Sequence, residues 1–207
     1  MKKDSKLNID ELWVEFQQHL SSLEKVNILI AGKSGVGKST LINAAFRDNL
    51  AETGIGKPTT SRINLIEKEG VPVRIYDTVG FELDFRHLKK AQKDIHNLIK
   101  KTSKTPQLDD DIHCLWYCVS APSARLEDEE RSFIASIAKQ GIPVILVLTK
   151  AGDKIEAEKL LNNIWIDISA NLAAAVVLLA QRYGGTQPYG VDQLIEKNLS
   201  SYSRKIA

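Results

Sequence analysis

Cysteine, methionine, aromatic residues and charge of a single sign are all scarce in this 207-residue chain. Two cysteines, Cys114 and Cys118, fall in the apolar run Ile112 to Val119, which reads as a strand. Residues i and i+4 share one face of a strand but stand too far apart for a disulfide. No histidine or third cysteine gives metal spacing nearby, so both read as core residues. Lys and Arg number 28 against 26 Asp and Glu, a net charge of +2, so no global field points to nucleic acid or an anionic membrane. The longest apolar run, Leu172 to Ala180, falls far short of the ~20 residues of a spanning helix. Met1-Lys2-Lys3-Asp4 opens a polar, amphipathic stretch without a signal-peptide pattern, so the expected location is cytoplasmic, with no membrane attachment. Repeats, low-complexity tracts and a clear linker are also lacking. What remains is 43% apolar and 26% charged, ordinary composition for a domain with its own core.

Periodicity divides the chain into alternating elements. Leu12, Trp13, Phe16, Leu20 and Leu23 recur at helical spacing within Asp10 to Lys25. Val26 to Ile30 reads as a buried strand and Thr40 to Phe46 as a helix. Glu52 to Thr60 is rich in Gly, Thr and Pro and reads as a loop. Arg62 to Glu67 and Val71 to Tyr76 form a hairpin around Lys68-Glu69-Gly70. Helices are expected at Arg86 to Lys101, Leu126 to Lys139, Ile155 to Leu172 and Val191 to Ser203. Further strands are expected at Ile112 to Val119, Val144 to Leu148 and Ala174 to Ala180. This order predicts an α/β fold in three layers: a six-stranded, mostly parallel sheet with one antiparallel edge strand, covered on both faces. Residues 1–24 form an N-terminal helical extension and 25–207 the domain proper. The Trp13/Phe16/Leu20 face reads as packing on that domain, with a partner protein, and after it a membrane surface, as the alternatives.

Gly32-Lys33-Ser34-Gly35-Val36-Gly37-Lys38-Ser39 fits G-x-x-x-x-G-K-[ST] at every fixed position, between a strand and a helix. Such a loop wraps phosphates with backbone N–H groups and a helix N-terminus. Ser34, Gly35, Val36, Gly37, Lys38, Ser39 and Thr40 are therefore the expected phosphate binders. Lys38 neutralises β- and γ-phosphate charge, and the Ser39 hydroxyl ligates Mg²⁺. Asp77-Thr78-Val79-Gly80 follows a strand. There Asp77 holds Mg²⁺ through water, and the Gly80 N–H reaches the γ-phosphate. In Lys57-Pro58-Thr59-Thr60 a threonine completes the metal shell. Thr60 is preferred and Thr59 kept open. In Thr149-Lys150-Ala151-Gly152-Asp153 the Lys150 stem stacks under a base, and the Asp153 carboxylate accepts from the N1 and N2 donors of guanine, a donor pair that adenine lacks.

Together GKSGVGKSTLIN, PTT, DTVG and TKAGD resemble the G1 to G4 motifs of translation-factor-class P-loop GTPases, closest to the Era-like branch of 50S-ribosome-binding GTPases. His113 to Cys118 resembles the fourth strand of that group, and the resemblance extends over about Lys25 to Ser200. It implies a G domain that binds GTP and GDP with Mg²⁺, with Lys38 and Thr60 as catalytic residues. It also implies a base contact at Ala180, in Leu179-Ala180-Gln181. Ser169-Ala170 fits that last motif too, but sits on a helical stripe. The usual [NT]-K-x-D pattern is broken, because Asp153 falls one place late. Phe81 stands where Ras-like proteins carry a water-orienting glutamine. Relatives that use K⁺ carry Asn at the position of Gly35. The resemblance thus predicts a slow GTPase switch. A GTP-binding scaffold with negligible turnover and a P-loop ATPase remain as alternatives. A homodimer or an effector protein at the loops Glu52–Thr60 and Thr78–Arg86 is the expected partner. The resemblance also points to the ribosome. The basic helix face from Leu88 to Lys101 reads as solvated, with RNA contact as the alternative.

Overall fold

The computed structural model describes residues 25–48, 57–60, 63–78, 85–102, 111–123 and 125–206, with backbone alone at 57–60, 85–92, 101, 199 and 201–206. The helix expected over Asp10 to Lys25 lies outside these residues, apart from Lys25. Seven strands form one sheet: β1 Val26–Ala31, β2 Lys57–Thr60, β3 Ile63–Glu67, β4 Val73–Thr78, β5 Cys114–Ser120, β6 Val144–Thr149 and β7 Ala174–Val177. Five helices accompany them: α1 Lys38–Phe46, α2 Phe85–Thr102, α3 Asp128–Ala138, α4 Lys154–Ile168 and α5 Val191–Ile206.

The sheet order is β2-β3-β4-β1-β5-β6-β7. β1 pairs in parallel with both β4 and β5, and β5–β6 and β6–β7 are also parallel. β3 runs antiparallel to β4, and β2 antiparallel to β3. β3 is therefore the one strand that opposes the rest. The six expected strands are present, and β2 is an addition inside the segment expected as a loop. Its Thr59-Thr60 pair suits extended backbone. Pro58, which lacks a donor, is tolerated because β2 is an edge strand. The register shifts between Pro58 and Thr60. With β2 in place, β3 is second from the edge.

β5 and β6 are buried along their whole length, as a sheet covered on both faces requires. Alternation along β1 builds two cores. Leu29 and Ala31 join Ile95 of α2, Ile134 of α3 and Ile164 of α4 on one face. Ile28 and Ile30 join Leu41 and Ile42 of α1 and Leu194 of α5 on the other. Cys114 and Cys118 lie in this second core as buried free thiols. α5 is pinned to the sheet by Trp116 Nε1, which donates to Asn198 Oδ1 at 3.2 Å.

Three boundaries differ from expectation. β4 runs on to Thr78, because Asp77 pairs with both Ile30 and Asn64. α4 stops at Ile168, and a 3₁₀ turn covers Ser169–Asn171. β7 ends at Val177, after which Leu179 bridges to Tyr189 instead. From β1 the chain first turns to the β2–β4 side and later crosses to β5. The strand order therefore reverses beside β1, and the crevice at the carboxyl ends of β1, β4, β5 and β6 is where such a sheet binds ligands.

Candidate functional site

β1 leaves the sheet at Gly32, whose φ is +143° and whose would-be Cβ lies 2.3 Å from the Cys118 carbonyl oxygen. The loop that follows ends at Gly37, at φ +101°, which opens α1. Lys38 is the first residue of α1 and is only 8% exposed. Its Nζ donates to the carbonyls of Gly32 at 2.9 Å and Lys33 at 3.1 Å. Burial pulls this ammonium below its ordinary pKa, against the opposing pull of Asp77.

Asp77 faces Lys38 from the end of β4. Burial pushes its carboxyl up to about 6, although Lys38 works to lower it. Asp77 Oδ1 is buried and has no hydrogen-bond partner. An orphaned carboxylate oxygen beside a phosphate-type loop fits a hard divalent cation, held directly or through water. Thr78 fixes this corner, donating from Oγ1 to Ile30 O at 3.0 Å. Ser39 stands exposed one residue beyond Lys38, in the first turn of α1. Thr59 and Thr60 are described by backbone alone, at the end of β2. Gly80 and Phe81 lie outside the described residues.

The Asp77 shift predicts a pH dependence. Its folded-state pKa lies above the unfolded value near 3.8. The associated stability is therefore fully present below that value and is lost as pH rises through about 6. A divalent cation needs the ionised form, so ligand and proton compete. Mg²⁺-dependent nucleotide affinity should be about tenfold weaker at about pH 5 than at about pH 7. Titrations across this range check it, and Asp77→Asn should flatten the profile.

A network not foreseen from the sequence holds the loop from behind. Lys33 Nζ contacts Glu127 Oε1 at 2.8 Å and Glu130 Oε2 at 3.0 Å, and Tyr117 donates to Glu130 Oε1 at 2.8 Å. Burial works to lower the Lys33 pKa, but the two carboxylates outweigh it and raise it. Glu127 and Glu130 also form a reciprocal capping box at the start of α3. Its i,i+3 acidic pair was visible in the sequence, but its coupling to Lys33 needs the fold.

A cavity of about 390 Å³ continues from the loop. Gly37 and Thr40 line it together with Thr149, Lys150, Ala180, Gln181 and Tyr183. The Thr149 hydroxyl reaches the carbonyls of Val36 and Val119, and Lys150 Nζ donates to Gly35 O. Expected binders Gly37, Thr40, Lys150 and Ala180 thus meet in one space. Val36 is buried beneath the loop, while Ser34 and Gly35 are exposed on it. Asp153 is not brought into the cavity. The extra residue places it as the N-cap of α4, where its carboxylate accepts from Glu156 N at 3.0 Å. Gln181 and Tyr183, which line the cavity, were not anticipated.

A phosphate-wrapping loop at the switch point, a buried lysine on its helix, a strand-end aspartate and a cavity beside T-K define a P-loop nucleotide-binding domain of the G-domain class. The model of the 50S ribosome-binding GTPase family matches residues 27–150, more than half of the chain, and the chain belongs to that family of GTPases. GTPase Der of Campylobacter jejuni is 30% identical over 133 residues, covering 64% of this chain and 27% of its own. The chain therefore spans about a quarter of the length of that relative. Among solved structures, Toc33 from Arabidopsis thaliana in complex with Mg²⁺ and GMPPNP superposes with a TM-score of 0.64 at 18% identity, covering 94% of this chain and 92% of that one. A probable GTP-binding protein engB gives 0.62 at 17% identity, covering 86% and 100%.

Proposed function

We propose that residues 25–207 form a G domain that binds GTP with Mg²⁺ and hydrolyses it to GDP and phosphate, acting as a switch, with residues 1–24 as an extension. The observation that carries this reading is the pairing of buried Lys38, at the start of α1, with the orphaned Asp77 oxygen near the end of β4. Lys38 and the backbone from Ser34 to Thr40 hold the phosphates. Ser39, Asp77 and Thr60, or its neighbour Thr59, hold the Mg²⁺. Bound there, the ion supplies charge neutralisation at the β- and γ-phosphates. Gly80 meets the γ-phosphate, and Lys150 and Ala180 meet the base. The Mg²⁺ complex of Toc33 supports the metal, as does the donor chemistry of the site.

The segments Glu52–Thr60, which ends in β2, and Thr78–Arg86, which joins β4 to α2, are the parts that answer to the γ-phosphate. A second copy of the chain or an effector protein engages them, in the cytoplasm and away from membranes. Among the described residues no helix is long and apolar enough to cross a membrane. Ribosomal RNA is the alternative partner that the family name suggests.

Intrinsic turnover should be slow, and K⁺ should not stimulate it. Phe81 has no hydrogen-bonding group with which to orient water. Gly35 has no side chain to ligate a cation, and nothing stands within 4 Å of the place its Cβ would take. Single-turnover GTP hydrolysis should run at roughly 10⁻⁴ to 10⁻³ s⁻¹, equally in NaCl and KCl, and rise with protein concentration. A large KCl-specific stimulation, or fast turnover at every dilution, contradicts this account. No hydrolysis at any concentration would favour the scaffold reading.

A further inference from the structure

The cavity beside Lys150 holds no carboxylate among its described lining residues. In a T-K-x-D loop the residue in line to read the base is the one three places after the threonine. Here that residue is Gly152. Its backbone lies outside the left-handed region, so a side chain there would meet no conformational penalty. What fills its space is an aromatic ring. A Cβ built at Gly152 would stand 3.1 Å from Cδ1 and 3.5 Å from Cε1 of Tyr183.

Tyr183 is held there by a small hairpin. Leu179 and Tyr189 exchange backbone hydrogen bonds of 3.0 Å, and Tyr183 and Thr186 exchange bonds of 3.2 and 2.8 Å. The two-residue tip is Gly184-Gly185, at φ +53° and +89°. Positive φ at both positions is the geometry that closes tight hairpins. The hairpin is stitched to the loop it faces. Thr186 Oγ1 donates to Gly152 O at 3.2 Å, Tyr189 donates from its hydroxyl to Ala151 O at 2.8 Å, and Ala151 N donates to Leu178 O at 3.2 Å. Tyr183 itself remains 70% exposed and lines the cavity. A buried core role does not explain a ring so placed.

We infer that Tyr183 is a nucleobase-contacting residue of this chain, its ring standing where a carboxylate at position 152 would stand. The purine lies against the Lys150 stem and the Tyr183 ring, and the Gln181 amide and Tyr183 hydroxyl are the polar groups at its edge. Every base presents a π-face, so stacking holds purines with little discrimination. A site of this kind favours GTP over ATP far less than the ~10⁴-fold that paired, buried hydrogen bonds achieve. Asp153, committed to capping α4, does not set the preference.

This inference rests on the nucleotide-binding reading above, and the experiment separates the two. Affinities for GTP, ATP, XTP and inorganic tripolyphosphate are measured by calorimetry on the full chain and four variants. Tyr183→Ala should weaken GTP and ATP alike, by roughly 5- to 150-fold, the worth of one base stack, and leave tripolyphosphate unchanged. Tyr183→Phe should keep most of the affinity, because the ring is retained. Asp153→Asn should leave the GTP/ATP and GTP/XTP ratios where they were. The double variant Gly152→Asp with Tyr183→Ala should raise the GTP/ATP ratio by about tenfold or more, since a carboxylate then has the space the ring occupied. Unchanged GTP affinity in Tyr183→Ala, or a shifted GTP/XTP ratio in Asp153→Asn, overturns the assignment while the phosphate site stands. Failure of the wild type to bind either GTP or tripolyphosphate overturns the nucleotide reading, and this assignment with it.

Discussion

Lys38→Ala should abolish triphosphate binding and leave the fold standing. The expected loss is about 2–5 kcal/mol, roughly 30- to 5,000-fold in affinity. In the free protein the ammonium is already in place, caged by the carbonyls of Gly32 and Lys33 at 2.9 and 3.1 Å. Burial there costs the ammonium solvation, which is why its pKa falls. An incoming triphosphate adds counter-charge that Asp77 alone does not make good, since burial still outweighs its pull, so the interaction is realised in a place largely closed to water. Removing the side chain removes that gain. The packing of α1 does not depend on it, because the helix is seated by Leu41, Ile42 and Phe46. Calorimetric titration with a non-hydrolysable GTP analogue, beside thermal unfolding of the same variant, checks both halves. Unchanged affinity would end the assignment of the nucleotide site. A collapsed melting transition would show that Lys38 holds the fold together, not the ligand.

The placement of Lys38 was legible because chain-local spacing fixes it: a strand, a glycine-bounded loop and a helix start follow one another whatever the rest of the chain does. The buried strands were legible for a similar reason, since runs such as Val-Ile-Leu-Val-Leu have no other place to go than a sheet covered on both faces. Legibility stopped where contact depends on distant segments. β2 was hidden because Lys57-Pro58-Thr59-Thr60 has loop composition and becomes a strand only when β3 offers an edge. Asp153 sits close to the expected place in sequence, yet with one residue inserted it stands as the N-cap of the following helix and not among the residues lining the cavity. The ring that stands against Gly152 comes from 31 positions further along (183 − 152) and is carried by a glycine-tipped hairpin. The Gly-Gly signal for that turn was present, but nothing in it says what the turn will face. The Lys33–Glu130–Tyr117 network is the same case: each residue is ordinary alone, and the buried Glu130 carboxylate makes sense only with its two partners.

Gly32→Ala should be the most damaging single substitution in the site, costing on the order of 4 kcal/mol or more of stability together with nucleotide binding. The motif places a glycine here and suggests that phosphate approach is the reason. The structure gives a different one. A methyl group at this position would stand 2.3 Å from the Cys118 carbonyl oxygen and 3.2 Å from the carbonyl carbon and Val36 Cγ2. The obstacle is backbone of β5, which is buried along its whole length and cannot withdraw. The φ of +143° adds a conformation that side-chain-bearing residues rarely adopt. Relief requires β1 and β5 to part just where Ala31 pairs with Tyr117, and that movement carries Lys38 away from its carbonyl cage. Gly35→Ala is the internal control. Gly35 also has a positive φ, +77°, but nothing lies within 4 Å of its would-be Cβ. It should cost only the left-handed penalty of about 1–2 kcal/mol. Denaturant unfolding of both variants reads the difference directly. If Gly32→Ala is no more destabilised than Gly35→Ala, the close approach of β5 is not what requires glycine at position 32.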